Sequence, residues 1–289
     1  MLRGSAVWMA ATCGASLARA APERQNVPIA QPSEVLAALE KKSGGTLGVA
    51  ILDTESGKRV GFREHERFPM CSTFKLLAAA AVLARVDQKA ERLDRRISYG
   101  KADLLEHAPT ARARVAEGSM SVADLCEAAI TVSDNTAANL LLTLLGGPAA
   151  LTAFARSLGD TMTRLDRMEP LLNAAAPGDP RDTTTPAAML VSLHALLIGK
   201  ALSNTSRERL EKWLIANTTG GARLRAGTPS AWRVGDKTGT GARGSTNDVA
   251  ILWPPGRKPL LIAAYIRETA LDLPIRNEVL AGVARFATS

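Results

Sequence analysis

The chain is poor in the residues that most often carry a metal, a cross-link or a base-stacking surface. Its 289 residues include three histidines, three cysteines and only 4% aromatics. His65, His107 and His194 are too dispersed to resemble a zinc motif, whose ligands sit a turn or a short loop apart. No metal and no other cofactor is therefore expected. The formal charge is +8, yet Arg and Lys are interleaved with Asp and Glu. No basic run with aromatic platforms marks a nucleic-acid surface. Beyond the N-terminus no apolar run is long enough to span a membrane, and no repeat or low-complexity tract is present. With 46% hydrophobic and 22% charged residues, the composition is that of a globular chain able to bury a sizeable core.

The first twenty residues differ from the rest. Arg3 precedes an uncharged small or apolar run, Ser5 to Leu17, and Ala18-Arg19-Ala20 offers a small-x-small cleavage site. That is the layout of a secretory signal peptide over 1–20, with a mature chain from 21 to 289. Cys13, preceded by Ala10-Ala11-Thr12, lies in a poor context for lipidation. Loss of Arg3 and Arg19 takes the charge from +8 to +6, and only Cys71 and Cys126 remain. The alanine- and arginine-rich composition points to a Gram-negative source and hence the periplasm.

Patterning predicts an α+β fold. Pro32-Ser33-Glu34 opens a helix that stops at Gly44-Gly45, and Thr46 to Asp53 and Lys58 to Glu64 read as strands around a turn at Glu55-Ser56-Gly57. Three more strands are expected at Trp232 to Thr238, Asp248 to Trp253 and Pro259 to Ile266, before a closing helix from Leu273 to Ala287. Everything between reads as helical. Ser121 with Asp124 makes a capping box, helices follow at Asn135 to Leu145, Ala149 to Leu158, Pro186 to Ile198 and Ser206 to Ile215, and Thr185 and Gly199 supply start and stop signals. The simplest assembly is a mainly antiparallel five-stranded sheet built from both ends of the chain and flanked by helices. One lobe is then 21–68 plus 216–289, the other an all-helical lobe over 69–215, and the active site lies in the cleft between them.

Three short motifs stand out. In Ser72-Thr73-Phe74-Lys75 the lysine begins a helix whose next nine residues, Leu76 to Ala84, are wholly apolar. A helix apolar all round is buried, and burying an isolated ammonium costs several kcal/mol. Ser72 lies one turn earlier on the same face, at the helix N-terminus, where free N–H groups favour a developing oxyanion. A plain helix cap with an outward-reaching lysine fits those residues too, and about one chance match to S-x-x-K arises in a chain this long. Ser133-Asp134-Asn135 fits an interhelical turn that caps the next helix as well as a reactive hydroxyl. Lys237-Thr238-Gly239 fits an edge lysine before a turn as well as an anion site. All three in order, at separations suited to one cleft, do not fit coincidence.

Together these motifs are the signature of class A β-lactamases and penicillin-binding proteins, and the chain resembles that family from Glu34 to its end. Glu169-Pro170-Leu171-Leu172-Asn173 is similar to the E-P-x-L-N loop of class A β-lactamases. It lies in an aperiodic stretch, Thr163 to Thr184, of the length usually kept for function. The resemblance implies hydrolysis of penicillins and cephalosporins through an acyl-enzyme on Ser72, hence antibiotic resistance, by a monomer whose partner is a small-molecule β-lactam, with no nucleic acid and no membrane. It implies that Lys75 relays a proton and Ser133 delivers one to the lactam nitrogen. Asn135 holds Lys75 and the substrate amide, and Glu169 with Asn173 holds the deacylating water. Lys237, Thr238 and Thr240 bind the carboxylate. Arg223 stands where other members supply a substitute carboxylate-binding guanidinium, Arg167 and Asp182 pin the loop, the bond into Pro170 is cis, and His107 belongs to the substrate rim. Cys126 is expected to be a buried free thiol because Ala79 stands where relatives carry its partner. Gly241 likewise replaces the cysteine that bridges Cys71 in some relatives. Thr240 fits a cephalosporin- or carbapenem-tolerant site and an extended spectrum. The nearest rivals, a D-Ala-D-Ala peptidase and a non-catalytic β-lactam sensor, lack the roles that Glu169 and Asn173 imply.

Overall fold

The computed structural model describes residues 1, 2, 4 and 31–289. The apolar run and cleavage site of the expected leader therefore lie outside the described residues. The body 31–289 contains helices α1 (Pro32–Ser43), α2 (Phe74–Asp87), α3 (Pro109–Ala113), α4 (Val122–Thr131), α5 (Asn135–Leu145), α6 (Pro148–Ser157), α7 (Pro186–Leu197), α8 (Asn204–Ile215), α9 (Leu224–Gly227) and α10 (Leu273–Thr288). Its strands are β1 (Thr46–Asp53), β2 (Arg59–Phe62), β3 (Phe68–Pro69), β4 (Arg96–Ser98), β5 (Ser119–Ser121), β6 (Thr183–Thr184), β7 (Arg233–Thr240), β8 (Thr246–Trp253) and β9 (Leu260–Arg267).

Five of these strands form one sheet, in the order β2-β1-β9-β8-β7, and every pair is antiparallel. The side-chain period of two sorts β9 cleanly. Leu260, Ile262, Ala264 and Ile266 face one apolar core with Leu36 of α1 and Val279, Leu280 and Val283 of α10. Leu261, Ala263 and Tyr265 face the other, with α2, α4, α5, α7 and α8. The α+β fold with a five-stranded antiparallel sheet is thus as expected. In the helical layer α2 is the central rod, with every residue from Phe74 to Leu83 buried.

Local signals behave as their chemistry requires. Ser121 Oγ accepts from the Asp124 N–H at 3.1 Å while Asp124 Oδ2 accepts from the Ser121 N–H at 3.3 Å, completing the capping box of α4. Thr185 Oγ1 caps α7 through the Ala188 N–H at 3.1 Å. The differences are local. α8 starts at Asn204, two residues earlier than expected, because the Ser203 hydroxyl caps it. The region read as wholly helical also contains the β4–β5 hairpin and the β3–β6 pair. Ser72 lies in a 3-10 turn, Cys71–Thr73, and the α-helix proper starts at Phe74.

Cys71 and Cys126 are both buried and free. Burial pushes the Cys71 thiol up to about 12, and it raises that of Cys126. Because the thiolate is the reactive form, neither should alkylate in the folded protein. Under denaturant without reductant, both should take up iodoacetamide, as read by mass spectrometry. Labelling at either site that requires prior reduction would contradict this assignment.

Candidate active site

The site begins with packing. The apolar α2 is drawn into the core and takes Lys75 with it, leaving its side chain 0% exposed. Its ammonium donates to the Ser133 carbonyl at 2.8 Å, to Ser133 Oγ at 3.3 Å and to Asn135 Oδ1 at 2.5 Å. It also pairs with Glu169 Oε1 at 3.2 Å. Ser72 Oγ donates to that same Glu169 oxygen, at 3.4 Å. The turn carrying Ser72 is held from the sheet side. Asn247 Nδ2 donates to the Pro69 and Met70 carbonyls at 2.8 and 3.1 Å. A Cβ on Gly239 would stand 2.7 Å from the Met70 carbonyl, so β7 can approach only because that residue is glycine. Cys71, just before Ser72, is left with φ 46°, a strained value for a non-glycine residue.

Ser133 also has positive φ, 57°, at the turn between α4 and α5. Asp134, 0% exposed, caps α5 by accepting from the Ala137 N–H at 2.9 Å, and it ties down α3 by accepting from the Ala111 N–H at 2.9 Å. The cap reading of Ser133-Asp134-Asn135 is therefore met by Asp134, which leaves the Ser133 hydroxyl free to face the cleft. Ser133 Oγ accepts from Lys75 and, at 3.2 Å, from Lys237. With two ammonium donors on its lone pairs, its own proton points elsewhere.

The loop from Thr163 to Thr184 supplies the carboxylate. Asp182 Oδ1 accepts from the backbone N–H groups of Asp166 and Arg167 at 2.8 and 2.9 Å, and Arg167 Nε lies 2.5 Å from Asp182 Oδ2. The Glu169–Pro170 bond is cis. Asn139 on α5 grips Glu169 by both ends of its peptide unit, donating to its carbonyl at 3.0 Å and accepting from its N–H at 2.9 Å. Asn173 Nδ2 donates to Glu169 Oε2 at 2.5 Å.

Strand β7 lines the opposite wall. Burial and the nearby Lys75 charge push the Lys237 ammonium down to about 7. Burial likewise lowers Lys75, against the attraction of Glu169. Arg223, expected as a substitute carboxylate-binding guanidinium, lines the cleft but is heavily engaged by the protein itself. It is buried, and four of its five N–H groups are committed: to Asn277 Oδ1, to the Gly239 and Asn247 carbonyls, and to Thr240 Oγ1 at 2.6 Å. Since arginine only donates, the Thr240 hydroxyl keeps its own proton for another acceptor. Ser72, His107, Ser133, Asn135, Asn173, Thr219, Arg223, Thr238 and Thr240 line a single cavity of about 310 Å³. His107 is on its rim, its Nε2 3.1 Å from the Val132 carbonyl. A second cavity of about 240 Å³, behind residues 175–180, contains none of the motif residues. Among the described residues no group of three or more His, Cys, Asp or Glu side chains is placed to hold a metal ion.

Asn139, Asn247 and Thr219 are the site residues that motif reading missed. Only Asn139 has a sequence signal, its position four residues after Asn135 on one helix face.

Residues 31–288 match the Beta-lactamase enzyme family. Over 252 residues the chain is 52% identical to β-lactamase L2 of Stenotrophomonas maltophilia, covering 87% of this chain and 83% of that protein. It is 50% identical over 253 residues to β-lactamase CTX-M-97 of Escherichia coli, covering 88% and 87%. Among solved structures, an ancestral class A β-lactamase superposes with a TM-score of 0.87 at 64% identity, covering 89% of this chain and 98% of that one. The class A β-lactamase PenP of Rhodopseudomonas palustris, described as putative, gives 0.86 at 58%, covering 88% and 97%. Sequence over almost the whole described body and backbone geometry thus agree, and the chain belongs to the class A β-lactamases.

Proposed function

We propose that this β-lactam hydrolase works through an acyl-enzyme on Ser72. The observation that carries the proposal is one unbroken set of contacts: Ser72 Oγ to Glu169, Glu169 to Lys75, Lys75 to Ser133 Oγ, and Ser133 Oγ to Lys237. Ser72 Oγ attacks the lactam carbonyl, and its proton enters the Glu169–Lys75 pair. The backbone N–H groups of Ser72 and Thr240 receive the oxyanion. The C–N bond then breaks and the nitrogen takes the Ser133 proton, which Lys75 helps to replace. Lys237, Thr238 and Thr240 hold the substrate carboxylate by charge-assisted hydrogen bonds. Asn135 binds the side-chain amide and His107 borders it. In deacylation Glu169 and Asn173 orient and deprotonate a water that attacks the acyl carbonyl.

The proposed substrates are penicillins and cephalosporins, with a spectrum extended to bulkier cephalosporins on the strength of Thr240. The catalytic domain is proposed as 21–289, in lobes 21–68 plus 216–289 and 69–215. It is exported to the periplasm by residues 1–20 and works there as a monomer without membrane or nucleic-acid partners. Among the described residues no single helix is long and apolar enough to cross a membrane, although the bent pair α5–α6 passes on length and composition.

A chromogenic cephalosporin should be turned over many times per enzyme; one stoichiometric burst would point to a penicillin-binding protein or sensor instead. Glu169→Ala should slow deacylation by about 10² to 10⁴, the usual worth of a general base, so that intact mass spectra show one bound substrate per chain. Rapid turnover by that variant would remove Glu169 from its role.

The pH dependence follows from Lys237, around which Lys75, Arg223, Asp236 and Asp248 also act. Its charged form is lost as pH rises through about 7. For carboxylate-bearing substrates kcat/KM should therefore fall on that alkaline side, since kcat/KM reports groups of the free enzyme. Lys237→Arg, charged throughout, should move the fall to higher pH. An alkaline limb at the same position in both would show that another group is titrating.

A further inference from the structure

Thr219 lines the catalytic cavity yet belongs to none of the three motifs. Its hydroxyl lies 2.5 Å from Thr238 Oγ1 and 2.8 Å from Asn217 Oδ1. The Asn217 amide cannot be reversed. Its Oδ1 accepts from the Thr219 N–H at 3.1 Å, and its Nδ2 donates to the buried Asp236 at 2.6 Å. The turn itself is pressed onto that carboxylate: a Cβ on Gly220 would stand 1.8 Å from Asp236 Oδ2. A fixed acceptor thus sits on one side of the Thr219 hydroxyl and Thr238 on the other, with one Thr219 proton to share between them.

We propose that Thr219, oriented by Asn217, is a positioning residue that sets the direction of the Thr238 hydroxyl and so tunes recognition of the substrate's anionic end. The proposal rests on the reading of Thr238 as a carboxylate ligand. In the empty site Thr238 donates to Thr219, and Thr219 donates to Asn217 Oδ1. When a carboxylate arrives, the Thr238 proton turns to it and the Thr219 proton turns to Thr238 Oγ1. Asn217 Oδ1 stays satisfied by the Thr219 N–H. The count of hydrogen bonds is conserved, and Thr238 becomes a donor polarised from behind. Thr240 needs no such switch, because Arg223 can only donate to it.

The test compares kcat/KM for a cephalosporin with a free carboxylate and for its methyl ester, in the native enzyme and in Thr219→Val, Thr219→Ser and Thr238→Val. Thr219→Val should lower the preference for the free acid by about three- to tenfold, the scale of one neutral hydrogen bond, because the bond lost is the one behind Thr238 and not the one to the carboxylate. Thr219→Ser should restore that preference, and thermal midpoints should stay level. An unchanged or increased preference in Thr219→Val, with Thr238→Val still reducing it, would overturn the relay and leave the carboxylate site standing. A native enzyme that does not distinguish acid from ester would sink both. Equal loss on acid and ester in Thr219→Val and Thr219→Ser would reduce Thr219 to a structural part of the turn and overturn the proposal.

Discussion

The arrangement of this cleft depends on one buried ammonium. Lys75 cannot leave the core, because the ten residues from Phe74 to Leu83 are all enclosed, and it cannot remain there unpaired without a penalty of several kcal/mol. Its partners come from two separate parts of the chain: the α4–α5 turn offers a carbonyl, a hydroxyl and an amide oxygen, and the 163–184 loop offers a carboxylate. Satisfying the charge is what brings Ser133, Asn135 and Glu169 within reach of Ser72. The same demand for a partner that stabilises the fold therefore assembles the chemistry.

The convergence is tight enough to leave strain where the reacting groups sit. Cys71 and Ser133, one beside the nucleophile and the other itself a proposed proton donor, both have left-handed backbones. Such conformations cost of order 1–3 kcal/mol and persist only when the surroundings over-determine them. Here the surroundings are specific: Asn247 grips the carbonyls before Cys71, Gly239 lets β7 close on Met70, and Asp134 fastens the Ser133 turn to α3 and α5. Ser72 and Ser133 are thus carried on backbone held from both sides, which keeps their hydroxyls fixed between turnovers.

What could be read from sequence is what depends on local pattern. Burial of α2, the capping box at Ser121, the Thr185 cap and the two-sided sheet follow from periodicity and from short-range hydrogen bonding. The three motifs could be found because each packs its reactive groups into three or four residues. The β4 and β5 strands, three residues each, are too short for any period to register. Arg223 illustrates a deeper limit. The resemblance implies a carboxylate-binding role, but nothing in the sequence shows that four of its N–H groups are taken up by two carbonyls, Asn277 and Thr240, partners 16 to 54 residues away in the chain. Thr219 carries no local mark at all, since its meaning comes from lying across the cleft wall beside Thr238.

The two walls of the finished site are built differently. The wall for which a recognition role is proposed is β7, a strand hydrogen-bonded along its whole length to β8, with the hydroxyls of Thr238 and Thr240 braced from behind by Thr219 and Arg223. The wall proposed to carry out hydrolysis is a loop, and a loop would not by itself hold Glu169 to the tolerance that proton transfer requires. Three ties supply that tolerance: Arg167 with Asp182 closes the base, Asn139 clamps the Glu169 peptide unit, and the Ala242 N–H donates to the Asn173 carbonyl at 3.1 Å. The last tie joins the loop to the residues just beyond β7. An unbroken run of hydrogen bonds therefore leads from the residues beyond β7 to Asn173 and, through its amide, to Glu169. The two walls are separate in sequence, but mechanically they form one frame around Ser72.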